Sequence, residues 1–203
     1  MELTQRKAAL RERIWRLLEE RGVARFPLPL KNRVPNFAGA ERTAERLREL
    51  PEWKDAKLIL ANPDSAQRPV RQAALEDGKA LVVASPRLKA GYLLLKPEKI
   101  KGKERWAATI KGAFKFGERV AVEDVPKPDL IVTGCVAVEP KAGWRLGKGG
   151  GYGDVEIRTF LGRFGKIPVV TTVHELQVVA TVPHGEGDTK VNVINNTEEK
   201  HSY

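Results

Sequence analysis

The ten residues from Arg145 to Asp154 combine groups that could bind an anion. The run reads Arg-Leu-Gly-Lys-Gly-Gly-Gly-Tyr-Gly-Asp and contains five glycines. Glycine has no Cβ, so consecutive backbone amides can turn toward an anion and approach it closely. Arg145 and Lys148 would add positive charge, and Asp154 could hold a metal ion. The pattern predicts a phosphate-binding loop rather than a plain surface turn.

This glycine loop matches neither of two common nucleotide-binding motifs. A Walker motif needs Ser or Thr after its Gly-Lys pair, whereas Gly149 follows Gly147-Lys148 here. The dinucleotide fingerprint would need a third glycine where Tyr152 stands. The residues of the loop therefore predict an anion site without fixing its class.

The apolar pattern indicates which elements position the loop. Helical spacing predicts an opening helix that ends before Gly22, on which Lys7 and Arg11 share a face. Residues 25–37 are expected to be irregular because of their prolines. A strand over 56–61, a helix over 69–76 and a strand over 80–84 form a predicted β-α-β unit. The other predicted elements are a helix over 40–50 stopped by Pro51, strands over 130–138, 169–173, 176–182 and 191–194, and a helix over 155–164.

This alternation predicts a single α/β domain over residues 1–203, with a largely parallel central sheet flanked by helices. In such domains the site usually lies in loops at the carboxyl ends of the strands. The glycine loop follows the apolar segment 130–138. We therefore expect it to lie at that edge of the sheet.

Composition restricts the partners and the location of the protein. Its formal net charge is +10, which favours anionic partners such as nucleotides, polyglutamylated cofactors or RNA. The single cysteine, Cys135, cannot form an intramolecular disulfide, and its apolar surroundings predict a buried core residue. The sequence shows neither a secretory signal pattern nor an apolar run of about 20 residues. We expect a cytoplasmic monomer or homodimer without a membrane span.

Several segments together resemble one enzyme family. The run from Gly143 to Asp154 resembles GxRLGxGGGYYD, the signature of 5-formyltetrahydrofolate cyclo-ligases, also called methenyltetrahydrofolate synthetases. Lys7-Ala-Ala-Leu-Arg11 resembles the family's N-terminal KxxLR. Residues 62–69, followed by Gly78-Lys79, resemble the segment that holds an acidic substrate contact, and residues 176–188 resemble the closing pattern with its metal-binding aspartate.

The resemblance implies a CoA-transferase-like fold and a reaction that uses ATP and Mg²⁺ to cyclise 5-formyltetrahydrofolate, or a related formyl-pterin, to the 5,10-methenyl product. It assigns catalysis to Arg145, Lys148 and Tyr152, and substrate contacts to Asp64 and Tyr152. Magnesium would be held by Asp154 and Asp188, with Glu139 as a further partner. The implied ATP contacts are Lys7, Arg11, Arg145, Leu146, Gly147, Lys148, Gly149, Gly150, Gly151 and Tyr152.

Three positions depart from the family pattern and leave alternatives open. Gly153 stands where the family usually has a second tyrosine, Glu139 where it has an aspartate, and Asp64 where it has a glutamate. One alternative is a nucleotide-binding relative of the cyclo-ligases that acts on a different acceptor. The other is a non-catalytic RNA-binding protein, for which the positive charge is the only support.

Overall fold

The computed structural model describes residues 2–198 and 200–202. Its helices are α1 (Leu3–Glu20), α2 (Ala40–Leu47), α3 (Pro51–Asp55), α4 (Arg68–Glu76), α5 (Glu104–Ala107), α6 (Ile110–Phe116) and α7 (Tyr152–Phe164). Its strands are β1 (Ala24–Arg25), β2 (Asn36–Phe37), β3 (Leu58–Ala61), β4 (Ala80–Ala84), β5 (Tyr92–Leu95), β6 (Glu118–Val120), β7 (Leu130–Thr133), β8 (Ala137–Val138), β9 (Arg145–Leu146), β10 (Val169–Val173), β11 (Val193–Asn196) and β12 (Lys200–Ser202).

An eight-stranded sheet forms the centre of the fold, in the order β12-β11-β10-β7-β3-β4-β5-β6. The strands from β11 to β4 run parallel to one another. Strands β12, β5 and β6 are antiparallel to their neighbours. These observations confirm the predicted α/β architecture with a largely parallel sheet flanked by helices.

The central strands are buried on both faces, as is typical of parallel sheets. All four residues of β3 are buried, and they alternate between two hydrophobic clusters. One cluster includes Ile59 and Ala61 with Leu47 of α2 and Val70 of α4. The other includes Leu58 and Leu60 with the apolar face of α7. Packing on both faces thus fixes where the carboxyl ends of the strands lie.

The structure corrects the predicted strand over 130–138. The chain forms β7, turns at Gly134 and then forms β8, which pairs with β9 outside the main sheet. A Cβ on Gly134 would lie 2.5 Å from Oε1 of Gln67, so the backbone approaches its neighbours too closely for a larger residue.

Three other predictions also need correction. Pro51 occupies the first turn of α3, so it starts a second helix instead of only ending α2. Residues 176–182 form no strand, because His174 caps a 3₁₀ turn over residues 175–177. The last predicted strand, over 191–194, is shifted to β11 at Val193–Asn196. The strands over 80–84 and 169–173 have the predicted bounds.

Candidate functional site

The glycine loop connects β9 to α7. Gly149 and Gly151 have φ angles of 114° and 71°, which lie in the left-handed region that favours glycine. Gly151 is also the N-cap of α7. The loop therefore leads directly into a helix N-terminus, where free amides and the helix dipole favour an anion.

A cavity of about 460 Å³ lies beside this loop. Residues from the segments that follow β3, β4 and β7 line this cavity. The carboxyl ends of these parallel strands therefore surround it, as expected for an α/β domain. The first turns of α7 complete the wall. The lining residues from these segments are Asn62, Pro63, Asp64, Ser85, Pro86, Gly134, Gly147, Lys148, Gly150, Gly151, Tyr152, Gly153, Asp154 and Glu156.

Helix α1 carries two predicted cations: Arg11 contacts the glycine loop and Lys7 contacts Asp188, and neither side chain lines the cavity. Arg11 donates from Nε to the carbonyl oxygen of Gly147 over 2.7 Å. Lys7 binds both carboxylate oxygens of Asp188, each at 2.6 Å from Nζ. Burial lowers the pKa of Arg11, while the nearby charges of Asp188 and Asp154 oppose this effect. The two predicted metal ligands Asp154 and Asp188 thus both lie close to Arg11.

Arg145 is buried beneath the loop. Its side chain is 1% exposed, and its Nη2 lies 3.2 Å from Oδ1 of Asp154. Its Nε donates to the hydroxyl of Thr189 over 3.2 Å. The amide and hydroxyl of Thr189 in turn donate to the same Asp154 oxygen. Arg145 lines the cavity, but these contacts make it a group that fixes Asp154 in position.

The same arrangement explains why glycine occupies position 153. A Cβ built on Gly153 would lie 2.6 Å from Nη2 of Arg145. A larger residue would therefore push the guanidinium away from Asp154. Because glycine stands where the family signature has a second tyrosine, the guanidinium of Arg145 has room beside Asp154.

Lys148 and Asp64 meet across the cavity. Nζ of Lys148 lies 3.1 Å from Oδ1 of Asp64, and their side chains are 39% and 19% exposed. The predicted catalytic cation and the predicted substrate carboxylate are therefore neighbours that a ligand can reach. Tyr152 lines the same cavity and is 47% exposed.

Six predicted site residues do not line the cavity: Lys7, Arg11, Glu139, Leu146, Gly149 and Asp188. Glu139 is buried and accepts the amide of Val182 at Oε2 over 2.9 Å, so its carboxylate ties two chain segments together and does not line the cavity. Within the described residues, no three His, Cys, Asp or Glu side chains form a metal-binding group. The side chain of Leu146 packs in the core, so only its backbone is available to a nucleotide.

Sequence reasoning missed three buried polar residues, of which Asn62 and Glu156 line the cavity and Arg71 binds the backbone of Asn62 and Asp64 behind it. Asn62 donates from Nδ2 to Oε1 of Glu156 over 2.9 Å. Burial raises the pKa of Glu156 to about 7, against the opposing effects of its hydrogen bonds and of Arg145. Burial also lowers the pKa of Arg71 to about 10. The available signals were a polar Asn62 at the end of an apolar strand and a carboxylate between Val155 and Ile157.

Comparison with known proteins gives a consistent result. The family model described as the 5-formyltetrahydrofolate cyclo-ligase family matches residues 3–196. The chain is 41% identical over 179 residues to the mouse methenyltetrahydrofolate synthase domain-containing protein, covering 85% of this chain and 48% of the relative. The human protein of the same name is 35% identical over 179 residues, with 85% and 46% covered. This chain thus spans about half the length of these relatives.

A solved structure supports the fold. The NMR structure of Aquifex aeolicus 5,10-methenyltetrahydrofolate synthetase superposes with a TM-score of 0.61, at 23% identity, over 97% of this chain and 92% of that one. At this identity the likeness concerns the fold alone. In the described part of the chain, no helix combines the length and apolar character needed to cross a bilayer.

Proposed function

The chain belongs to the 5-formyltetrahydrofolate cyclo-ligase family, a family of ligase-like enzymes, and we propose that it uses MgATP to cyclise 5-formyltetrahydrofolate or a related formyl-pterin to the 5,10-methenyl product. The main support is that three features meet at the glycine loop beside the cavity. These are the glycine loop at the start of α7, the α1 cation Arg11 bound to that loop, and the Lys148–Asp64 pair at the end of β3.

The proposed reaction overcomes the low reactivity of a formamide. The formyl oxygen attacks the γ-phosphorus of ATP, so a new P–O bond forms as the bond to ADP breaks. The N10 nitrogen then attacks the activated formyl carbon and loses its proton. The C–O bond breaks last and releases phosphate. Such a sequence needs positioning and charge stabilisation more than a covalent nucleophile.

The residues around the cavity suit these tasks. The amides of Gly147, Gly149, Gly150 and Gly151 are available for phosphate oxygens, and Lys148 can balance the charge on the transferred group. Asp64 holds Lys148 in place and faces the cavity from the substrate side. The exposed ring of Tyr152 can stack on a heterocycle.

The two aspartates near Arg11 fit a magnesium ion that accompanies ATP. Mg²⁺ prefers oxygen ligands and retains several waters, so one or two carboxylates suffice. Oδ2 of Asp154 lies beside Gly147, 4.0 Å from the position that a Cβ would occupy. Lys7 covers both oxygens of Asp188, so Asp188 can ligate a metal only after Lys7 turns to another anion. When bound, Mg²⁺ would offset the charge of the triphosphate.

Turnover of variants tests this proposal. Incubation with 5-formyltetrahydrofolate and MgATP is followed by methenyl absorbance. We expect Lys148→Ala and Asp154→Asn each to lower kcat by about 100-fold or more, because the first removes positive charge at the transferred group and the second removes a ligand of the proposed magnesium ion. Lys141→Ala is the matched control, since Lys141 is an exposed lysine outside the cavity. Equal rates in all three variants would refute the site assignment, and tight ATP binding without methenyl product would point to a different acceptor.

A further inference from the structure

A buried carboxyl group in the cavity wall has no part in the phosphoryl transfer described above. Glu156 lies on the second turn of α7 and is 3% exposed, yet it lines the cavity together with Asn62 and Asp64. A glutamate inside a helix face that otherwise packs Ile157 and Phe160 into the core is costly unless it has a specific partner.

Glu156 is held in one orientation. Its Oε1 accepts the Nδ2 donor of Asn62 over 2.9 Å, and the hydroxyl of Tyr92 also hydrogen bonds to the carboxyl group. Asn62 is itself fixed, because its Oδ1 accepts the hydroxyl of Thr133 at 2.8 Å and the amide of Gly134 at 2.9 Å. An anchored carboxyl of this kind is suited to a directional contact with a ligand.

These contacts leave acceptor positions of the carboxyl group unfilled. A carboxylate offers about four acceptor sites, and Asn62 and Tyr92 supply two neutral donors. Among the described residues Glu156 forms no ion pair: the nearby Arg145 is bound to Asp154, Thr189 and the carbonyl of Gly134. The group therefore has the capacity to accept N–H donors from a ligand in the cavity that it lines.

The shape of the cavity indicates what enters. Besides its polar groups, the wall carries apolar side chains that can sandwich a flat ring system. These side chains are Pro27, Val34, Pro86, Leu88 and Ile110. Because Glu156 lines the same cavity, a planar heterocycle held among these side chains can present one edge to it.

On the basis of the function proposed above, we propose that Glu156 selects the heterocycle by accepting two N–H donors from the edge of a 2-amino-4-oxo ring, as found in a pterin. In such a ring the N3–H and the 2-amino group lie side by side. A carboxylate can accept both, in the same way that it accepts the two parallel donors of an arginine. Guanine carries the same edge and adenine does not, so this contact separates the pterin from the ATP adenine.

Binding and kinetics with paired ligands test the inference. The probes are 5-formyltetrahydropterin and its 2-desamino counterpart, each titrated into the full chain. We expect the wild type to bind the 2-amino ligand at least about tenfold more tightly, and Glu156→Gln to lose this preference. In the variant the KM for 5-formyltetrahydrofolate should rise by a similar factor, while the KM for ATP stays unchanged.

A matched variant separates recognition from support of the fold. Tyr92→Phe removes a donor to Glu156 but keeps the carboxylate, and Tyr92 does not line the cavity. We expect this variant to retain the preference for the 2-amino ligand. If Glu156→Gln keeps the preference as well, the inference is wrong, although the proposed cyclisation still stands.

Two other outcomes distinguish this inference from the function on which it rests. Glu156-dependent pterin binding without ATP-driven turnover would support the inference and overturn the cyclo-ligase proposal. Glu156-dependent binding of GTP in place of any pterin would show that the recognised edge belongs to a guanine nucleotide, and would overturn the pterin assignment.

Discussion

At the scale of single residues, the structure explains why Gly153 departs from the family signature. The sequence shows only that a tyrosine of the family signature is absent. The structure shows that the guanidinium of Arg145 fills the adjacent space and contacts Asp154. The position is therefore restricted by the internal ion pair between Arg145 and Asp154.

A single methyl group at this position tests the restriction. Gly153→Ala places a Cβ 2.6 Å from Nη2 of Arg145, so the guanidinium must move and Asp154 loses its cationic partner. We expect kcat to fall by about 100-fold, as for other small displacements of a site. Gly162→Ala is the control in the same helix, because its Cβ would meet nothing within 4 Å. Comparable activity in both variants would show that Arg145 does not position Asp154.

Glu156 predicts a pH dependence of stability. Burial raises its pKa to about 7 from an ordinary value of 4.5, so the folded protein keeps a proton that the unfolded chain loses. The free energy of unfolding should therefore fall as pH rises through this window and stay lower above it. Relative to Glu156→Gln, which cannot titrate, the loss should reach up to about 3 kcal/mol. Urea unfolding of the wild type and of Glu156→Gln, at several pH values between these two pKa values, measures this loss. Parallel pH profiles of the free energy of unfolding would contradict the burial argument.

At the scale of elements, the strongly periodic or continuous apolar segments were predictable. The opening helix, the strand–helix–strand unit from β3 to β4 and the strand β10 follow from hydrophobic pattern alone. The glycine loop also lies near the carboxyl ends of the parallel strands, as expected, although β8 and β9 outside the main sheet precede it. The segment over 92–120 was not predicted, because its strands and helices are short and their burial depends on partners far away in sequence.

The site residues divide in the same way. Lys7, Arg11, Asp64 and Lys148 belong to recognisable motifs. The structure places Arg11 against the loop and the Lys148–Asp64 pair in the cavity, whereas Lys7 pairs with Asp188. The sequence groups Glu139 with the metal ligands, but its carboxylate accepts the amide of Val182. A motif records spacing along the chain, whereas the direction of a buried side chain depends on the packing of several elements.

The connection between β3 and α4 depends on one buried arginine. Arg71 of α4 donates to the carbonyl oxygens of Asn62, Asp64 and Ala108, at 2.5, 2.9 and 2.9 Å. Arg71→Met would leave these buried acceptors unpaired, and we expect it to lower the free energy of unfolding by about 3 kcal/mol or more. Arg68→Met, at an exposed position of the same helix, should change it by less than about 0.5 kcal/mol. Equal urea midpoints for the two variants would contradict this role.

At the scale of the whole molecule, the chain matches about half the length of its curated relatives. One continuous sheet joins elements from residue 58 to residue 202. Arg11 of α1 binds the carbonyl oxygen of Gly147, although the two residues lie far apart in the sequence. These long-range contacts support our proposal that residues 1–203 form a single domain. We further propose a monomer or homodimer in the cytoplasm.

The net charge of +10 has two interpretations at this scale. It can attract MgATP and a polyglutamylated folate, or it can bind RNA without sequence preference. RNA affinity that falls steeply with salt, in the absence of ATP hydrolysis, would favour the second interpretation. The cavity between the glycine loop and the strand ends favours the first, because nonspecific binding of a polyanion needs no such pocket.

The ratio of methenyl product to ADP is the most direct test of the proposed activity. Purified protein is incubated with 5-formyltetrahydrofolate and MgATP, and both products are measured in the same reaction. The proposed mechanism predicts one ADP for each methenyl group formed, and no methenyl group when ATP is withheld. Methenyl formation without ATP, or saturable MgATP binding with neither product, would contradict it.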